Sequence, residues 1–71
     1  MMPQTGDIWL WHHPDRDEDD CVVLIHEFLH EGRSLANKPI SVYWGYDMLT
    51  DQYDEWLFTE DSLGKYWRKL G

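Results

Sequence analysis

The sequence predicts a small all-β fold, with five short strands in an antiparallel meander closed into a five-stranded barrel. Three observations carry this expectation. Ile40-Ser41-Val42-Tyr43-Trp44-Gly45-Tyr46 alternates cleanly, with Ile40, Val42, Trp44 and Tyr46 on one face and Ser41, Tyr43 and Gly45 on the other. The longest apolar run opens with Val22, Val23 and Ile25, whose β-branched side chains suit a pleated sheet better than a helix. Turn residues (Gly6-Asp7, Pro14, Gly32, Asn37 and Pro39) recur at intervals that fit strands better than helices. Closure into a barrel would also remove exposed sheet edges.

The size of the chain sets the frame for these elements. Its 71 residues make one domain, close to the smallest size at which a hydrophobic core holds without disulfides or metal. An apolar fraction of 42%, with five Trp, four Tyr and two Phe, supplies enough bulky surface for such a core. The single cysteine, Cys21, has no partner for an internal bridge and is expected as a buried thiol, which suits a reducing compartment. Met1 to Asp7 lacks the basic and apolar regions of a secretory signal, and no apolar stretch approaches the ~20 residues of a membrane helix. A soluble, cytoplasmic protein is expected. The formal net charge of −8 disfavours direct binding to nucleic acid or an anionic membrane, since phosphate contacts need Lys and Arg. A protein partner is the expectation that remains, with no cofactor.

Ile8-Trp9-Leu10-Trp11-His12-His13 is the first strand, fed by the Gly6-Asp7 turn and stopped by Pro14. Its adjacent histidines point to opposite faces. Asp15-Arg16-Asp17-Glu18-Asp19-Asp20 carries no apolar residue and is expected as a solvated hairpin loop. It does not spell a calcium loop, because the central Gly and the closing Glu are missing. Cys21 to Gly32 is the second strand, and Arg33 to Pro39 is a connection. Ile40 to Tyr46 is the third strand, in which Gly45 marks a bulge or the close approach of another backbone. Asp47 to Asp54 fits a long hairpin loop or one helical turn. Glu55-Trp56-Leu57-Phe58-Thr59 is a short strand, followed by a capped 3₁₀ or helical turn over Thr59 to Leu63. Lys65 to Leu70 ends the chain as a last strand or a further helical turn.

His26-Glu27-Phe28-Leu29-His30 resembles the zincin metallopeptidases. On a helix that spacing sets two imidazoles one turn apart for a zinc ion, with Glu27 as general base on the bound water. The family's continuations are absent: Arg33 and Ala36 stand where one branch has Gly and His. Glu55 and Glu60 are followed four residues on by Thr59 and Gly64, where the other branch has Asp. On a strand, His26 and His30 sit about 13 Å apart, too far to share an ion. The strand is the expectation, and no metal site goes with it; His26, Glu27 and His30 form one only in the alternative reading as a minimal zinc metallopeptidase.

Gly6-Asp7, Val22-Val23-Leu24-Ile25, Ser41-Val42-Tyr43-Trp44 and Glu55 to Leu63 together resemble small SH3-like barrel proteins of the short, phage-encoded type. The resemblance implies a five-stranded antiparallel barrel with a short 3₁₀ turn before the last strand. It does not imply a function, because such folds host many. The aromatic content points to a non-enzymatic interaction module that binds its partner through exposed rings, as SH3 domains do, with Trp9, Trp11, Tyr43, Tyr46, Tyr53 and Trp67 as candidate contacts. The alternative is an acidic mimic of nucleic acid, in which the carboxylates from Asp15 to Asp20 and from Asp47 to Asp61 inhibit a DNA-binding protein.

Overall fold

The computed structural model describes residues 2–71, with Asp17 described by its backbone alone. It contains five strands: β1 (Ile8–His13), β2 (Arg16–Arg33), β3 (Pro39–Asp47), β4 (Gln52–Phe58) and β5 (Trp67–Lys69). They form a single antiparallel sheet in the order β4-β3-β2-β1-β5. No helix occurs among the described residues, so none is long and apolar enough to cross a membrane.

The central strand, β2, serves both halves of the sheet. Its first half pairs with β1 as far as Ile8↔Leu24, its second half pairs with β3 from Val23↔Asp47 to Arg33↔Pro39, and Val23 and Leu24 belong to both ladders. Two register shifts against β3, at Ile25/Glu27 and Phe28/His30, leave His26 and Leu29 as extra residues. Each is a bulge, and bulges bend and twist the strand that carries them. The bending lets one 18-residue strand wrap a core.

Two expectations need correction. The acidic stretch is not a loop: Arg16 to Asp20 belongs to β2, and the hairpin turn is only Pro14-Asp15. Asp20 is drawn into the sheet by a 2.8 Å hydrogen bond with His12 Nδ1, which an argument from charge composition cannot foresee. The segment from Asp47 to Asp54 is neither a long loop nor helical, because β4 begins at Gln52 and leaves only a tight turn over residues 48–51. Asp47, buried at 3% exposure, organises that turn. Its carboxylate accepts from Val22 N (3.3 Å), Leu49 N (3.0 Å) and Thr50 Oγ1 (2.8 Å), which satisfies a buried charge. Asp51 completes the turn at φ 60°, a conformation that Asp tolerates better than most residues. Of the two alternatives for Lys65 to Leu70, the structure has the last strand, three residues long. Before it, Thr59 Oγ1 accepts from Ser62 N (3.1 Å), and Ser62 Oγ accepts from Thr59 N (2.9 Å).

The core comprises Trp9, Val23, Ile25, Tyr43, Phe58 and Trp67. Phe58 is its centre, stacked on Trp67 at 4.1 Å and meeting Trp9 (5.7 Å) and Tyr43 (5.4 Å) edge-on. Backbone bonds do not close the sheet, since β4 and β5 are its edges. Side chains join those edges instead: Trp67 Nε1 donates to the Leu57 carbonyl at 3.2 Å, beside the Phe58–Trp67 stack. At the other end of β1, Asp7 accepts from Gln4 N (2.9 Å) and Trp9 Nε1 (3.4 Å). These bonds, the Gln4 amide foremost, hold the Asp7 carboxyl below its usual range.

Candidate functional site

Alternation along β3 fixes which side chains face the core. Ser41, Tyr43 and Asp47 are buried, and Gly45 lies against Val23 and Trp56, so the inward face is the one that looks more polar in sequence. The more apolar set, Ile40, Val42, Trp44 and Tyr46, lies on the opposite face, where Val42 is covered to 5% exposure, Ile40 and Tyr46 are half-buried and Trp44 is exposed. The cross-strand register then places Leu57 beside Val42, Glu55 beside Trp44 and Tyr53 beside Tyr46 on the same outer face.

This outer face carries an aromatic cluster centred on Tyr53. Tyr53 stacks on Trp44 with ring centroids 6.0 Å apart and planes 11° from parallel, and it meets Tyr46 at 5.0 Å and His26 at 5.2 Å. His26 reaches the cluster because it is the extra residue of the first bulge. The Tyr46 hydroxyl hydrogen-bonds to the Asp51 carboxylate. Tyr53 remains 53% exposed and Trp44 36%, with Leu57 also open to solvent. Two exposed carboxylates flank Trp44 in the ladders, Glu27 on β2 and Glu55 on β4. Flat rings with carboxylates at their edges make a surface for apolar contact and for cations.

The six aromatic candidates are therefore divided by the fold. Tyr46 and Tyr53 lie in the outer cluster. Trp9, Tyr43 and Trp67 are core residues at 5%, 5% and 3% exposure and do not offer contact surface; their assignment as binding residues is corrected. Desolvation, then the nearby Glu31 carboxylate, raises the Tyr43 phenol above its ordinary pKa. Trp11 is half-buried against the core and packs beside His13 and Tyr66, whose rings stack at 5.2 Å. Trp44 is the residue that sequence reasoning left out of the site. The signal for it was present: it shares the phase of Tyr46, and Gly45 marks the opposite face as the one approached by backbone.

The His26-Glu27-Phe28-Leu29-His30 segment is strand throughout, which removes the one-turn spacing behind its zincin resemblance. His26 lies against Tyr53, and His30 is an exposed residue opposite Val42. Among the described residues no group of three His, Cys, Asp or Glu side chains is arranged to hold a metal ion. In comparisons with known proteins, the chain matches no protein-family model, no curated protein and no solved structure.

Proposed function

We propose that this chain is a small SH3-like barrel acting as a non-enzymatic interaction module, which binds a protein partner through the outer aromatic face of β2, β3 and β4. The observation that carries the reading is the solvent-facing stack of Trp44 and Tyr53, joined by Tyr46 and His26. A monomer with no use for that face would bury its rings in the core, as Trp9, Tyr43 and Trp67 are buried here. The strand order, with each of the first four strands beside its sequence neighbour and the last beside the first, supports the SH3-like assignment. The flanking Glu27 and Glu55, and the net charge of −8, favour a partner segment that presents Lys or Arg among apolar residues.

Affinity capture with the wild-type chain and with Trp44→Ala and Tyr53→Ala variants tests the reading. A defined partner held by the wild type, and lost from both variants while they stay folded, is the expected result. Equal retention by all three chains overturns it. A second reading, mimicry of nucleic acid, draws on the exposed acids Asp15, Glu18 and Asp19 at the tip of the β1–β2 hairpin. It expects a partner that is itself a nucleic-acid-binding protein and is released by moderate salt, whichever aromatic is removed.

A further inference from the structure

β4 is one edge of the sheet, and the directions of its backbone groups follow from the strands behind it. On β2, Ile25 N donates to the Asp7 carbonyl and the Ile25 carbonyl accepts from Gly6 N, both at 2.9 Å, so Ile25 turns its backbone away from β3. Gly45, its partner on β3, therefore turns to β4 and meets Asp54. Directions alternate along a strand, so Asp54 and Trp56 bond to β3 while Tyr53, Glu55 and Leu57 aim their N–H and C=O groups outward. Two contacts agree with this phase: Glu55 N donates to Asp54 Oδ1 at 2.7 Å, and the Leu57 carbonyl accepts from Trp67 Nε1 at 3.2 Å. The Tyr53 amide and carbonyl, the Glu55 carbonyl and the Leu57 amide are left on the open side of the sheet, where no strand among the described residues pairs with them.

Side chains share this alternation. The three residues whose backbone points outward also place their side chains on the outer face, as a row of ring, carboxylate and aliphatic group bordering Trp44 and Tyr46. Gln52, Tyr53, Asp54 and Glu55 are all exposed, so the edge is open to an incoming chain. Asp54 and Glu55 make no ion pair among the described residues. A second copy is a poor occupant, because antiparallel pairing of two β4 edges would bring these carboxylates against their own counterparts, on chains that each carry a net charge of −8. A strand with a cation at that position meets attraction instead.

We propose that the β4 edge takes up an extended segment of the partner protein as a sixth, antiparallel strand. The proposal rests on the reading of the outer face as the binding surface, and it names how the partner lies against that face. Main-chain bonds to Tyr53 and Glu55 hold the segment, as in other strand additions at exposed sheet edges, and every second side chain extends the outer face. An arginine or lysine fits beside Glu55, with apolar residues beside Tyr53 and Leu57. Pairing at Glu55 N displaces the Asp54 carboxylate and puts a partner carbonyl in its place. The antiparallel sense continues that of the five strands, and it lets the residue opposite Glu55 exchange both backbone bonds with it.

Titration of the ¹⁵N-labelled full chain with acetyl-Leu-Thr-Arg-Thr-Leu-amide, followed by amide chemical shifts and hydrogen exchange, tests the proposal. In the free chain the Tyr53 amide should exchange faster than those of Asp54 and Trp56. With peptide, saturable shifts should centre on Tyr53 to Leu57, and exchange at Tyr53 should slow. Methylating the backbone nitrogen of the peptide's arginine removes the N–H aimed at the Glu55 carbonyl and should abolish binding. Methylating that of either threonine, which points away from β4, should be tolerated. A peptide with glutamate in place of arginine should give no saturable shift, and Glu55→Gln should weaken binding by about 2- to 5-fold, the worth of a cross-strand charge pair. No saturable shift with the arginine peptide, equal effects of the two kinds of methylation, or equal response to the glutamate peptide would overturn the added strand. Such a failure leaves the aromatic face standing, because that reading is decided separately by partner capture with Trp44→Ala and Tyr53→Ala.

Discussion

An ideal Cβ added to Gly45 would sit 2.8 Å from Val23 Cγ1, 2.9 Å from the Leu24 carbonyl oxygen and 3.2 Å from Trp56 Cδ1. A backbone oxygen cannot swing aside as a side chain can, so Gly45→Ala must displace β2 against β3. The substitution should cost about 1–3 kcal/mol, read as a shift in the urea midpoint at constant slope. The same residue shows what one position can reveal in sequence: a glycine inside a strong strand pattern signals close approach, and it identifies the inward face as that of Ser41 and Tyr43. Cys21 also makes a residue-scale prediction. Burial, followed by the Asp47 and Asp20 carboxylates, pushes its thiol from 9.0 up to about 11. A pKa raised by folding stabilises the protein fully below the unfolded value, and that stability is lost as pH rises through the folded value. Alkylation of the native thiol should therefore be slow at pH 8 and rise with a midpoint near 11, against about 9 in denaturant. Stability should fall between those pH values, and Cys21→Ala should flatten the fall.

Among the elements, β1 and β3 were the most legible. β1 has the limits that its turn and proline imply, and β3 exceeds its alternating segment by one residue at each end. β2 was legible only from Cys21 onward, because charge density suggests solvation while strand pairing is decided by the opposite strand. The bulges at His26 and Leu29 left no signal, being imposed by the register of β3. For this reason the joining of His26 to Tyr53 could not be read in advance, nor could the division of the aromatics between core and surface. The outer face of β3 and β4 yields a prediction of its own. Tyr53 gives the core nothing, so Tyr53→Ala should lower stability by only about 0.5–1.5 kcal/mol, the worth of its ring contacts, while removing partner binding. Thermal unfolding read beside capture checks both halves; a loss of several kcal/mol would make the cluster a structural element.

At the scale of the molecule, fourteen acids face six basic side chains. The ion pairs Arg16–Asp19 and Lys38–Asp61 join exposed groups, for which modest net stabilisation is usual. Self-repulsion should therefore outweigh them, and the melting temperature should rise as salt is raised from about 0.01 to 0.15 M, over which the Debye length shrinks from about 30 to 8 Å. A falling melting temperature would show that specific ion pairs dominate. The strand order also has a kinetic consequence. β1–β2, β2–β3 and β3–β4 are neighbours in sequence as well as in space, whereas β5 must cross most of the chain to reach β1. Local pairings meet a small entropic barrier and distant ones a larger one, so the hairpins should assemble first and β5 should dock after the rate-limiting step. Trp67→Phe, which keeps a ring on Phe58 but removes the bond to Leu57, should then hasten unfolding and leave the refolding rate nearly unchanged, with a φ-value of about 0.3 or less. The last strand would act as a latch, setting how long the folded state persists rather than how quickly it forms.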